Sequence, residues 1–463
     1  MDNAEIKQIH MIGIDGISMS GLAEILMNLG YKISGSDLKT SHKTAKLQSL
    51  GAVVHCGHRE ENVANPDLVV YTAAIKENNP EVVKARRLNI PLIDRATLLG
   101  GIMKKYPYTM AVSGTHGKST TTSMTAAVML ESGCDPTVHV GAELDAIGGT
   151  TRIGGNKYFI VEADEYCGSF LKFHPYLAII LNMEYDHADY YKDIGHVRET
   201  FCRFASLVPE EGYLVACADD ENIRSMLSRL SCNKVTFGLE SPNAMWTARK
   251  ITFDCKGCAS FAALKGGNKF ADIELKVPGM HNVNNALAAA AACDAMGCGK
   301  EAIRRGLCGF TGARQRFELK GIVDDIKVID DYAHHPSEIR ATLKAARNCG
   351  NPRIWCVFQP HTYTRLKCLL DEFAVSFRDA DMVVVSDIYA AREIDNGEVH
   401  ASMLAERIGL SGGKAVYMPS FNDIVEFLKD NVSPGDMVIT MGAGNITAVG
   451  EMFLESKRAV ASI

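Results

Sequence analysis

The chain has 463 residues, too many for one ordinary hydrophobic core, so its length predicts two to four domains. Its 47% hydrophobic and 22% charged residues are the proportions of a folded globular protein and exclude a disordered or fibrous one. A formal net charge of −6 argues against nucleic acid or an anionic membrane as the main partner, though a local basic patch can still bind a phosphorylated small molecule.

The opening stretch MDNAEIKQIH mixes charges and has no apolar signal-peptide core. The most apolar segment, Ala286 to Cys293, is alanine-rich and far short of a membrane span, so no membrane insertion is expected. Fourteen scattered cysteines without framework spacing fit a reducing compartment, and the expected location is the cytoplasm. Cys255 and Cys258 have C-x-x-C spacing, but no second Cys or His pair is spaced to complete a zinc site. A surface hairpin turning at Gly257 is the expectation there.

Three blocks follow one another, with boundaries expected at 1–105, 106–311 and 312–463. In the first, IHMIGI reads as a buried strand, followed by a Gly/Ser turn and a helix from Gly21 to Leu29. KISGSD, LVVYTAAI and IPLID read as further strands with helical patterns between them, which implies a parallel, Rossmann-like sheet. A dinucleotide fingerprint would put glycines at positions 13, 15 and 18, but only Gly13 matches, beside Asp15 and Ser18. Bound NAD is therefore not expected, although Asp37 stands about where a ribose-binding acid would.

The second block opens with the strand YTMAVSG, the loop Gly114, Thr115, His116, Gly117, and a helix beginning near Lys118, Ser119 and Thr120. A phosphate loop has the pattern G-x-x-x-x-G-K-[ST], and here Val112 occupies the place of the first glycine, so the loop is shortened. Backbone N–H groups and a helix N-terminus favour an anion; Lys118 would reach the β/γ-phosphates and Ser119 would ligate Mg²⁺. YFIVEADE and LAIILNMEYDH read as strands ending near Glu162 and His187. Those two residues would hold a second cation beside the γ-phosphate, or else are a solvated acid and a helix-capping histidine. VPGMHNVNNALAAAAACDAMG reads as a turn and a closing helix.

In the third block KVIDDYAHHP, IWCVFQPH, MVVVSDIY, AVYMP and DMVITMGAG read as strands of another doubly wound sheet. Arg316 in ARQRFE and Arg365 in QPHTYTR are suited to clamping a phosphate bidentately, and each also reads as a surface arginine.

Together GTHGKSTTT, VEADE, NMEYDH, HNVNNALAA, DDYAHHP, QPHTYTR and the start IGIDGISMSGLAE resemble the Mur ligase family, in family order and over nearly the whole chain. The resemblance implies an α/β fold of three domains in series: an N-terminal Rossmann-like domain for a UDP-sugar, a central P-loop ATPase-like domain, and a C-terminal Rossmann-like domain. The implied activity is an ATP-dependent amide ligase that joins L-alanine to the lactyl carboxylate of UDP-N-acetylmuramate through an acyl phosphate. Attachment of a recycled tripeptide to the same nucleotide is the alternative, and a fold retained for binding alone is the other.

By resemblance, Lys118 stabilises the transferring phosphoryl group, Ser119 and Glu162 bind a first Mg²⁺, and Glu162 and His187 bind a second. His281 and Asn282 resemble the adenine contacts, Asp331 the ribose contact and Arg316 a phosphate contact. His334 and Arg365 resemble groups facing the acyl phosphate and the incoming amine. Gly13, Ile17, Ser18, Met19, Ser20, Asp37 and Thr72 resemble the sugar-nucleotide contacts. Asp15 and Ser18 stand where the family usually has glycine, and Gln315 and Thr362 where it often has arginine. Asp15 is expected to turn from the diphosphate and cap the amides of Gly16 to Met19. Related ligases carry a carbamylated lysine past the DH motif; His196 to Pro209 contains no lysine, in keeping with the alanine-adding branch.

Overall fold

Apolar runs too short and too β-branched for helices become the strands of three sheets in the computed structural model, which describes residues 6–461. Residues 1–5, part of the charge-mixed start, lie outside the described residues. The first sheet contains β1 (Gln8–Ile12), β2 (Lys32–Asp37), β3 (Val53–Cys56), β4 (Leu68–Tyr71) and β5 (Leu92–Asp94) in the order β3-β2-β1-β4-β5. Every pairing is parallel, and the chain reverses its winding between β1 and β4. Ligands of such sheets bind beyond the carboxyl ends of the strands at this switch point. Gly13 follows β1 there and Thr72 follows β4; a Cβ on Gly13 would come 2.8 Å from Thr72 Cγ2, and φ is +84°. Only glycine lets the two loops close so tightly.

The central strands are β6 (Tyr108–Ser113), β7 (Thr137–Leu144), β8 (Gly149–Arg152), β9 (Tyr158–Glu162), β10 (Leu177–Ile180), β11 (Tyr213–Cys217) and β12 (Asn233–Phe237), then β13 (Trp246–Phe253), β14 (Cys258–Lys265) and β15 (Asn268–Pro278). The first seven run in the order β12-β11-β10-β6-β9-β7-β8. The last three form an antiparallel meander that joins β12 at the Phe237–Trp246 pair. In the third sheet β16 (Glu318–Val323), β17 (Ile326–Asp331), β18 (Ile354–Phe358), β19 (Met382–Val385), β20 (Ala415–Tyr417) and β21 (Met437–Met441) run β16-β17-β21-β18-β19-β20. Packing divides the chain into two compact units. The first holds residues up to Met183 with Arg198–Thr236 and Ala288–Ile303; the second holds Glu184–Val197, Phe237–Leu287 and everything from Arg304.

The sheets are less purely parallel than the sequence suggests: β8, β14, β15 and β16 pair antiparallel with a neighbour. The reason is local. Gly266–Gly267 and Asp324–Asp325 both take positive φ, the geometry of two-residue hairpin turns, which leaves no room for a crossover helix. The turn between β13 and β14 includes Gly257 at φ +72°, so the C-x-x-C pair does flank a hairpin turn. The first helix spans Ile17–Asn28 and begins earlier than the expected Gly21, because Met19 and Ser20 are already buried in its first turn.

One buried carboxylate ties the first sheet together. Glu81, fully buried on the helix Pro80–Arg87, accepts from Ser36 Oγ of β2 and from Asn62 Nδ2 at 2.6 Å, with His10 Nε2 of β1 at 3.5 Å. Burial works against its charge, but the nearby His10 ring and the hydrogen bonds of Ser36 and Asn62 outweigh it and hold the group near 2, below its ordinary 4.5. The folded chain therefore keeps Glu81 ionised to lower pH than the unfolded chain does. Its contribution, about 3 kcal/mol, is complete above pH 4.5 and is lost as pH falls toward 2. Glu81→Gln should flatten the acid limb of a denaturant-derived stability profile over that window and lower stability at pH 7. An acid limb identical to the parent's would disprove the role.

Candidate active site

The phosphate loop follows from backbone constraint. β6 is buried along nearly its whole length and delivers the chain to Gly114, where φ is +139° and a Cβ would lie 2.9 Å from Leu181 Cβ. Gly117, at φ +82°, precedes the helix Lys118–Glu131. Asn182 fixes the loop from outside: its Oδ1 accepts from His116 N (2.8 Å) and its Nδ2 donates to His116 O (3.0 Å). Three carboxylates, Glu162, Asp164 and Glu165, stand at or just past the end of β9. Glu162 Oε2 accepts from Ser119 Oγ and from Gly141 N, both at 2.9 Å. Lys118 Nζ donates to Gly114 O (2.7 Å), Thr115 O (3.1 Å) and both oxygens of Glu165 (3.0 and 2.9 Å). Burial opposes the Lys118 charge, but Glu165, Asp164 and Glu162 outweigh it and raise the ammonium's pKa above its ordinary value. The result is a charged ammonium held against two loop carbonyls and Glu165, near a Ser–Glu pair with hard oxygen donors suited to Mg²⁺.

The second unit gathers another polar set. Arg365, 8% exposed, makes a bidentate pair with the equally buried Asp186: Nε to Oδ1 at 2.9 Å and Nη2 to Oδ2 at 3.1 Å. Burial would raise Asp186, yet Arg365 and His187 hold it far below the carboxylate range. His187 lies in the loop after β10, not at the strand end, at φ +54°, with Nε2 3.9 Å from Asp186 Oδ2. Asp331 closes β17 and accepts from Ala333 N and Phe317 N, each at 2.8 Å; burial pushes it up to about 6 against the Arg316 charge. Arg316 lies over the Tyr332 ring at 4.6 Å. His334 Nδ1 is 2.9 Å from Tyr332 O, which makes Nδ1 the protonated nitrogen; burial lowers this histidine to about 3, so it is neutral near pH 7. His281 stands in the first turn of the helix Met280–Ala295, where Asn282 Nδ2 donates to Pro278 O at 2.7 Å. Thr362 caps the helix Tyr363–Cys368 through Arg365 N, at φ +66°, a strained conformation for a β-branched residue.

Near the first sheet's switch point the Asp15 expectation fails. Its carboxylate makes no cap to the helix Ile17–Asn28 but accepts from Ser41 Oγ, while Asp15 N donates to Asp37 Oδ2 at 2.9 Å. Ser41, the cap of its own helix His42–Ser49, draws the acid away. Ser18 Oγ accepts from Arg95 Nη1 at 3.0 Å and lies 2.8 Å from His139 Nε2. Burial depresses His139 to about 3, so Ser18 O–H donates to a neutral ring whose Nδ1–H reaches Thr151 Oγ1 at 3.0 Å.

Thus Gly114 to Thr120, Glu162, Gly13, Ile17 to Ser20, Asp37 and Thr72 belong to the first unit, and His187, His281, Asn282, Arg316, Asp331, His334 and Arg365 to the second. Reading the sequence missed Glu165, Asn182, Asp186, Arg95 and His139. Glu165 and Asp186 sit inside VEADE and NMEYDH; Arg95 and His139 carry no motif signal.

A phosphate loop with trailing acids, on a chain that also carries two Rossmann-like sheets, defines a class of nucleotide-dependent enzymes. Family models for the Mur ligase catalytic domain, middle domain and glutamate ligase domain match residues 8–107, 112–293 and 315–444. The chain belongs to the Mur ligase family. It is 61% identical over 461 residues to a UDP-N-acetylmuramate–L-alanine ligase of Acetivibrio thermocellus, covering 100% of this chain and 98% of that one. A protein of the same name from Caldanaerobacter subterraneus subsp. tengcongensis is 50% identical, covering 99% of each. Among solved structures, UDP-N-acetylmuramate-alanine ligase MurC of Thermotoga maritima aligns at TM-score 0.82 and 30% identity, covering 98% of this chain and 99% of that one. A murein peptide ligase of Psychrobacter arcticus aligns at TM-score 0.73 and 25% identity, covering 97% and 98%.

If the Lys118 ammonium faces the transferring phosphoryl group, Lys118→Ala should cut ATP-dependent phosphate release ~100-fold or more. Removing the cation beside buried Glu165 should also lower thermal stability. Adding Glu165→Gln to that variant should restore stability and not turnover. Phosphate release within threefold of the parent in Lys118→Ala would exclude the phosphate role.

Proposed function

We infer that the protein is an ATP-dependent ligase that joins L-alanine to the lactyl carboxylate of UDP-N-acetylmuramate, giving ADP and phosphate, a step in making peptidoglycan precursor. The observation that carries the reading is the Lys118–Ser119–Glu162 arrangement, on a chain alike from end to end to relatives bearing that activity in their names. We assign residues 1–105 to the sugar nucleotide, 106–311 to ATP and 312–463 to completing the ligase site.

In the first step the lactyl carboxylate attacks the γ-phosphorus and ADP leaves, giving an acyl phosphate. Two anions must approach each other, so catalysis is mostly positioning and charge stabilisation. Lys118 supplies fixed positive charge, and a triphosphate has to take Glu165's place on its ammonium. Ser119 and Glu162 are the residues that would hold one Mg²⁺, and Glu162 with His187 a second; bound Mg²⁺ neutralises phosphate charge. In the second step the amine of L-alanine attacks the acyl carbon, and the tetrahedral intermediate expels phosphate. Asp186 holds the Arg365 guanidinium in one orientation, fit to face an anionic acyl phosphate or amino-acid carboxylate. His334, neutral with Nδ1–H held by Tyr332 O, offers Nε2 as acceptor for the amine proton. Asp331 is proposed to meet the ribose, His281 and Asn282 the adenine, and Arg316 the phosphates.

Among the described residues no helix is long and apolar enough to cross a membrane. We place the reaction in the cytoplasm, where ATP and the nucleotide sugar are available.

Phosphate release should be measured with ATP, UDP-N-acetylmuramate and, separately, L-alanine or L-Ala-γ-D-Glu-meso-diaminopimelate. L-Alanine should give a kcat/KM at least ~100-fold higher, because a pocket shaped to one methyl group rejects bulk. A higher value for the tripeptide would transfer the assignment to peptide recycling. No release with either would reject the ligase reading.

A further inference from the structure

Residues 184–187 belong to the second unit and carry two carboxylates that reach loops far along the chain. Glu184 Oε2 accepts from Ser337 Oγ at 2.6 Å, across 153 residues. Asp186 takes the bidentate pair of Arg365 described above, across 179. Ser337 is in the first turn of the helix Pro336–Asn348, which follows β17, and Arg365 lies on the helix Tyr363–Cys368, which follows β18. In the third sheet β21 separates those strands, so the two loops leave the sheet about two strand spacings, ~10 Å, apart. They meet at His334. Its ring is 5.8 Å from that of His361, whose Nδ1 and carbonyl oxygen lie 3.1 and 3.3 Å from Arg365 Nη1. On the other side Glu338 Oε2 accepts from His334 N at 3.0 Å and from His335 N at 3.2 Å, closing the turn against its helix. His335, 5% exposed, places Nδ1 2.7 Å from Ser337 Oγ and 3.5 Å from the same Glu184 oxygen. Glu184 therefore grips the turn that sets where His334 points, and its charge is favourable beside a helix N-terminus.

We propose, resting on the ligase reading above, that Glu184 is a positioning residue for amide formation. In that step the alanine nitrogen bonds to the acyl carbon, the bond from carbon to the phosphate oxygen breaks with its electron pair, and the amine proton passes to His334 Nε2. The transfer needs that ring nitrogen within hydrogen-bond reach of the amine. Glu184 acts at one remove: through Ser337 it keeps the His334 turn in place against residues 184–187, the stretch that also carries His187. The earlier step, attack of the lactyl carboxylate on the γ-phosphorus, transfers no proton to His334. Loss of Glu184 therefore separates the two steps, whereas a general loosening of the fold would slow both.

The test uses the full chain with ATP, UDP-N-acetylmuramate and either L-alanine or hydroxylamine as nucleophile. Hydroxylamine, small and largely unprotonated at neutral pH, captures the acyl phosphate as a hydroxamate without a positioned base. Glu184→Ala changes a side chain that is 39% exposed, so the variant should fold. It should lower kcat for the L-alanyl product ~30-fold or more and leave hydroxamate formation and the KM for ATP within ~threefold. Ser337→Ala should match it, and the double variant should fall no further, because both changes remove one link. Glu184→Gln, whose amide oxygen still accepts from Ser337, should keep L-alanyl turnover within ~fivefold of the parent. Equal losses with both nucleophiles would mark a general structural role and overturn the proposal, as would unchanged L-alanyl turnover in Glu184→Ala. A parent chain that yields neither product would reject the ligase reading itself, and the positioning role with it.

Discussion

An ammonium held among carboxylates is the constraint on which the nucleotide loop depends. Lys118 Nζ reaches two loop carbonyls and Glu165 at once, so the loop cannot open without breaking charge-assisted hydrogen bonds in a part-buried setting. The glycines make that closure possible, because at Gly114 the backbone of Leu181 and Asn182 leaves no room for a side chain. The same ion pair sets a cost on binding. On the proposed phosphate role of Lys118, a phosphate would compete with Glu165, making the exchange of one anion for another part of substrate recognition.

Buried charge is handled the same way elsewhere, always with a partner from a distant stretch of chain. Asp186 meets Arg365, and Glu81 meets donors from β1, from β2 and from Asn62. Each removes an ionised group from water at a large desolvation cost that only well-made hydrogen bonds offset. What such pairs provide is position: Arg365 is oriented before any substrate arrives, and the crossover helix carrying Glu81 is fixed to the first sheet. His139 works differently. Burial keeps it neutral, so it joins Ser18 to Thr151 as a hydrogen-bonding spacer without charge.

Much of this was legible in the chain itself. The strand before GTHGKS and the helix after it follow from apolar run length and glycine punctuation, and the motifs fell in family order. The misses have physical causes. Antiparallel edges arose where links of two to four residues replaced crossover helices. His187 proved to lie in a loop because β10 stops at Ile180, and Asp15 turned from its own helix because Ser41 offered a hydroxyl. Neither outcome is encoded within a few residues of the position concerned.

Elements with local causes can be read along the chain: strand and helix order, the glycines of the phosphate loop, the presence of Lys118, Ser119 and Glu162, and membership of a ligase family. Tertiary structure alone decided which acid faces which cation. Glu165 rather than Asp164 hydrogen-bonds to Lys118, Asp186 rather than Glu184 holds Arg365, and Ser18 lies between Arg95 and His139. Carboxylates one or two residues apart look equivalent in a sequence. Past a strand end they point in different directions, and only the packed backbone fixes which oxygen comes within 3 Å of a given nitrogen.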